Sequence, residues 1–86
     1  MSPLVADIVG LLGSAVILGA FAYANIAKTL NKVVFNLANL VGATLLLISL
    51  SVTFNLAAFV LEAAWAAIAA VGLVLAIRAK MRKPQP

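Results

Sequence analysis

Between Lys32 and Arg78 the chain carries a single charged side chain, Glu62, and from Ile8 through Ala27 it carries none. No other feature limits the possible folds as much. At about 1.5 Å per residue, one helix over Val33–Ile77 would be more than twice as long as a bilayer core of about 30 Å. The run must therefore fold back on itself. Composition points the same way: 66% of the 86 residues are hydrophobic and 9% are charged. A chain this short has too little interior to hide so much apolar surface from water. Hydrocarbon as the solvent removes that difficulty.

Three crossings follow. The first spans about residues 4–27, opened by Ser2 as a capping hydroxyl and Pro3 at the first helical position. A polar link, Lys28 to Lys32, leads into the long run, which divides near "SVTFNLA" (Ser51 to Ala57), where β-branched and polar residues gather around Asn55. The second crossing is then about 33–53 and the third about 56–77. The expected fold is an all-α integral membrane bundle of three transmembrane helices, a single domain over 1–86 with a basic tail at 78–86. The first basic side chain, Lys28, follows the first apolar stretch. A cleaved signal has its basic region before it, so segment 1 is expected to stay in the mature protein.

Charge gives an independent check. The link and the tail hold all six basic residues. Three crossings place both on one side, and positive flanks stay in the cytoplasm. The expected location is the bacterial inner membrane, N-terminus outside and C-terminus in the cytoplasm. The net charge of +4 sits at the ends of apolar runs, which suits topology better than nucleic acid. The tail could also attract anionic lipid, but an orientation signal is the plainer reading.

Helical periodicity gives each segment a small or polar face and a bulky one. Segment 1 places Ala6, Gly10, Gly13, Ala20, Ala24 and Ala27 together, bordered by Ser14. Segment 2 groups Asn36, Asn39, Gly42, Ala43, Ser49 and Thr53, and segment 3 groups Glu62, Ala66, Ala69, Gly72 and Ala76, with Trp65 beside them. Membrane helices associate through such faces, so three helices packed closely together are expected. Gly10, Gly13, Ser14, Gly42 and Gly72 are the candidate packing positions. Counting turns from the ends puts Glu62 level with Ser49, Gly10, Gly13 and Ser14. It puts Asn36 and Asn39 level with Tyr23, Ala24 and Gly72, with Leu46 and Ile17 between the two layers.

Glu62, Trp65, Asn36, Asn39 and Ser49 are the candidate polar or path-lining residues. Glu62 reads as a cation- or proton-binding carboxylate, since ionisable groups in membranes are rare and face bundle interiors. The blander alternative is a hydrated residue near the interface, or a neutral carboxyl bonded to Ser49 or Ser14. Asn36 and Asn39 read as amides gluing helices together, or as a path lining. Trp65 reads as an interface anchor or packing residue, or as a stacking platform for a sugar-like ligand. Tyr23 suits the inner interface. The chain has no cysteine and no histidine, which removes thiol chemistry and the usual zinc ligand sets. No cofactor, metal site or catalytic constellation is expected, and no enzyme.

The stretch from Tyr23 to Arg78 resembles a bacterial family of small membrane domains catalogued under a Coxiella locus name, with no assigned function. Tyr23, Asn36, Asn39, Gly42, Phe54, Asn55, Glu62 and Trp65 carry the resemblance. It implies a three-helix membrane domain and no known activity. A weaker similarity is to the half-size sugar transporters of the PQ-loop superfamily, three-helix proteins that work as dimers. Their hinge is a Pro-Gln pair inside helix 1. Here "FAYAN" (Phe21 to Asn25) stands at that place, and the one Pro-Gln is Pro84-Gln85. The expected function is a structural, interaction or accessory membrane subunit that self-associates through its small-residue faces, as a dimer or within a larger complex. The alternative is a minimal transporter working as a symmetric dimer, which leaves a small-molecule substrate open. The lipid bilayer is the expected surrounding partner, and nucleic acid is not expected.

Overall fold

The computed structural model describes residues 1–82. It contains three helices: α1 (Pro3–Ile26), α2 (Lys32–Leu50) and α3 (Leu56–Met81). Each is long and apolar enough to cross a membrane. The fold class is therefore the one expected, an all-α membrane bundle. The basic tail lies partly outside the described residues, and Pro84 and Gln85 lie wholly outside them.

Local chemistry sets the helix starts. Ser2 Oγ accepts from the Val5 N–H at 3.2 Å, and Pro3 occupies the first turn. Asn31 Oδ1 accepts from Val34 N–H at 3.1 Å, and Asn55 Oδ1 from Ala58 N–H at 3.0 Å. Each cap satisfies one of the four backbone donors a helix start leaves without an intrahelical partner. Phe54 and Phe59 bracket the start of α3 with ring centroids 5.6 Å apart. They stand just before the cap and four residues after it, the spacing of a hydrophobic staple. The Phe54-Asn55 pair is thus a helix-start device. The α1–α2 link is tied down by Tyr23, whose hydroxyl accepts from the Asn31 N–H at 2.8 Å.

Two ends differ from expectation. α2 stops at Leu50, short of Thr53. Its carbonyls there are taken by a tightened turn: the Ser51 N–H and hydroxyl both donate to Ile48 O, and Val52 N–H donates to Ser49 O. α3 continues past Ile77 to Met81. Arg78 and Lys80 in its last turn complement the negative end of the helix dipole, so the basic run extends the helix.

The larger correction concerns packing. α2 packs against both α1 and α3, but no Cα of α1 comes within 8 Å of any Cα of α3. The three helices do not all pack on one another, so α2 is the hub. A groove floored by α2 runs between α1 and α3, because the small faces of α1 and α3 both turn toward α2. The buried residues record this: Ala6, Gly13 and Ala20 on α1; Asn39, Gly42 and Ala43 on α2; Ala69 and Ala76 on α3. Those of α1 and α3 recur at seven-residue spacing, the repeat of a left-handed crossing.

Candidate functional site

The α1–α2 seam is built from backbone proximity. A Cβ placed on Gly13 would lie 2.7 Å from the Gly42 carbonyl oxygen, and one on Gly42 would lie 2.9 Å from that of Gly13. Only two glycines permit this approach. One to two turns further along, Ser49 Oγ donates to the Ala6 carbonyl at 2.6 Å, and a Cβ on Gly10 would meet that same hydroxyl. Ser49, Gly10, Gly13 and Gly42 are therefore packing elements. Ser14 keeps its hydroxyl within its own helix, donating to Gly10 O at 2.9 Å.

The α2–α3 seam is built from polar side chains. Asn39 is 6% exposed. Its Oδ1 accepts from Trp65 Nε1–H at 2.9 Å, and its Nδ2 donates to Phe35 O at 2.8 Å. The pair lies near the middle of α2, so Trp65 occupies a packing position rather than an interfacial belt. Asn36 donates to Lys32 O and presses its amide against Gly72, whose missing side chain makes the room. Expectation and structure agree on the level of Asn36 with Gly72, whereas Asn39 meets Trp65 instead.

They disagree on Glu62. Neither serine reaches it, because Ser49 and Ser14 are engaged elsewhere. Glu62 is not level with Ser49. It sits opposite Ala43 and Leu46, beside Ile17, within the apolar layer expected to separate the two polar ones. Its Oε2 is buried and has no hydrogen-bond partner among the described residues. Buried polar atoms are normally paired, and among the described residues this side-chain oxygen is the exception.

Two clefts lie along the α2 floor. One, of about 230 Å³, is lined by Phe35, Asn36, Asn39, Trp65, Ile68 and Ala69. The other, of about 200 Å³, is lined by Ile17, Ala43, Leu46, Leu61, Glu62 and Trp65. Trp65 is common to both and is 45% exposed. The structure thus gathers Asn36, Asn39, Glu62 and Trp65 around one groove and leaves Ser49 out of it. Sequence reasoning missed Phe35 and Ile68 as lining residues. Phe35 stands four residues before Asn39 and Ile68 three after Trp65, so helical spacing from the polar pair carries that signal. It also missed Gly19, which stands on the side of α1 that no described residue covers.

Three apolar helices joined by short capped links, with a groove of amide, indole and carboxyl groups at membrane depth, define a small multi-pass membrane protein. More particularly, the chain belongs to the uncharacterised, Coxiella-named family whose model matches residues 6–80. That match does not extend to the half-size PQ-loop transporters. No curated protein and no solved structure matches the chain.

Proposed function

We propose that this protein is a small, non-enzymatic structural or accessory subunit of the bacterial inner membrane that self-associates, with α1 meeting α1 of a second copy. One observation carries the reading. Of the five glycines, four stand where another helix touches them: Gly10, Gly13, Gly42 and Gly72. The fifth, Gly19, has no described residue within 4 Å of where its Cβ would be. Ala15 and Ala22 are exposed on the same side at helical spacing. Glycine inside a helix costs about 1 kcal/mol relative to alanine, and lipid gains nothing from it. Close approach of a second helix gives it a use. The small faces expected to drive association are thus largely spent inside the monomer, and the outward one of α1 takes over that role.

The orientation belongs to the same proposal. Lys28, Lys32, Arg78, Lys80 and Arg82 share one end of the antiparallel bundle. The positive-inside rule then puts that end in the cytoplasm. Mass measurement of the purified protein in nanodiscs tests association. A dimer that Gly19→Ala weakens and Gly19→Leu reduces to a monomer supports the reading. A wild-type monomer overturns it. Reporter fusions at the C-terminus test the orientation.

A second reading, a minimal dimeric transporter, draws on the convergence of Glu62, Trp65, Asn36 and Asn39 on one groove. Uptake into proteoliposomes that is abolished by Glu62→Ala would favour it over the structural role.

A further inference from the structure

The cleft beside Asn36 and Asn39 lies in the half of the bundle that carries the basic residues. Its walls are mostly apolar: Phe35, Ile68 and Ala69, with Ile68 73% exposed. It is open to the surrounding medium between α2 and α3. At its mouth the two helices turn basic. Lys32 lies one turn before Asn36, on the same face of α2. Lys80 lies one turn beyond the buried Ala76, on the face of α3 that meets α2. The Asn36–Gly72 contact fixes the register, so both lysines fall just outside the cleft, with Lys80 about a turn further out. Both acidic residues of the chain, Asp7 and Glu62, lie toward the other end. The Asn36 amide sits between lysines and cleft, about a turn deeper than Lys32. One of its two N–H groups goes to Lys32 O, and the other has no acceptor among the described residues.

From the mouth inward the order is two cations, an amide donor, and an apolar trough. That order matches a phospholipid entering from the same leaflet: phosphate, ester carbonyl, acyl chain. We propose that this cleft is a binding site for one anionic phospholipid per chain. Lys32 and Lys80 meet the phosphate, Asn36 donates to the ester carbonyl, and the acyl chain lies along Phe35 and Ile68. Charge complementarity selects the occupant: a basic pocket between transmembrane helices favours anionic over zwitterionic headgroups. A lysine stem can lie along the apolar wall while its ammonium reaches the headgroup level. Orientation by positive flanks needs charge at this end but not on these faces. Arg78 shows the difference, because six residues from Gly72 it points away from α2.

Native mass spectrometry of the full chain, released from nanodiscs of mixed phosphatidylglycerol and phosphatidylcholine, tests the site. The expected result is one phosphatidylglycerol retained per chain, in monomer or dimer alike, preferred over phosphatidylcholine by roughly tenfold. Failure of the self-association reading therefore leaves this measurement interpretable. Lys32→Gln with Lys80→Gln should remove the preference. Lys28→Gln with Arg78→Gln, the same charge loss away from the cleft, should keep it. Ile68→Trp, which fills the trough from an exposed position, should reduce retention of either lipid several-fold with both lysines intact. Equal losses from the two charge pairs would reduce the effect to diffuse attraction and overturn the site. So would retention unaffected by Ile68→Trp, or a lipid-free dimer in which the cleft is closed by the second copy.

Discussion

The two seams of α2 solve the same problem by different means. Against α1, it removes side chains until two backbones touch, glycine on glycine, with one hydroxyl-to-carbonyl bond beyond. Against α3, it keeps its side chains and pairs them, amide to indole, with a second amide set into the space left by Gly72. In lipid neither seam gains much from burying apolar surface, so close packing and polar contacts are the available means. At Gly13, where the nearest atom is the Gly42 carbonyl oxygen, the first seam tolerates no added volume. The second tolerates some, because what stands opposite Gly72 is the end of a side chain. The difference also explains the clefts. Side chains that stand the helices apart leave gaps beside them, and both clefts include α3 residues and Trp65.

The sharpest way to break the comparison is to add one methyl group to each seam. Gly13→Ala drives a Cβ against a carbonyl oxygen that cannot turn aside, and should destabilise the bundle by about 2 kcal/mol. Gly72→Ala meets the Asn36 amide, which can rotate. With the better helix propensity of alanine, the net change should stay within about 1 kcal/mol. Reversible unfolding in mixed micelles measures both, and equal costs would erase the distinction between the seams. A smaller effect is expected at the polar pair. Asn39→Leu and Trp65→Phe should each cost about 1 kcal/mol, and their double-mutant cycle should give a coupling of about 0.5–1.5 kcal/mol. Additive losses would mean that the bond contributes no coupling. The smallest effect is expected at Glu62. Glu62→Gln removes no hydrogen bond made by Oε2, so stability should move by no more than about 0.5 kcal/mol. A loss well beyond that would show that the carboxyl has a partner in the membrane.

Much of this was legible along the chain. Charge-free runs locate the helices, and Ser2, Asn31 and Asn55 stand where caps belong. The small faces of α1 and α3 can be read from periodicity alone, as can the level that Asn36 shares with Gly72. Other features depend on quantities that spacing does not carry. A small-residue face says that a helix will be met, not by which neighbour, so the hub role of α2 could not be seen. Whether Trp65 meets Asn39 rests on the rotation of α3 about its own axis. The acceptor for Ser49 is the backbone of Ala6, which leaves no mark in side-chain identity. Counting turns from helix ends put Glu62 level with Ser49, because α2 was expected to run three residues longer than it does. Gly19 is the reverse case: its spacing to Ala15 and Ala22 was visible, but its meaning depends on knowing that the other four glycines already have partners.

The central claim is that α1 and α3 both pack on α2 and not on each other. The native chain lacks cysteine, so engineered pairs report cleanly. The most direct measurement is disulfide formation in single-copy nanodiscs. In Gly10→Cys with Ser49→Cys, a Cβ on residue 10 would lie 3.2 Å from that of residue 49, a few tenths of an ångström short of the range of about 3.5–4.5 Å that a disulfide spans. Ile17→Cys with Leu61→Cys places the thiols on α1 and α3, whose Cα atoms stay beyond 8 Å of each other everywhere. The first pair should oxidise readily and the second should stay reduced. Ready oxidation of the second would mean that α1 and α3 are packed together, and that α2 is not the hub.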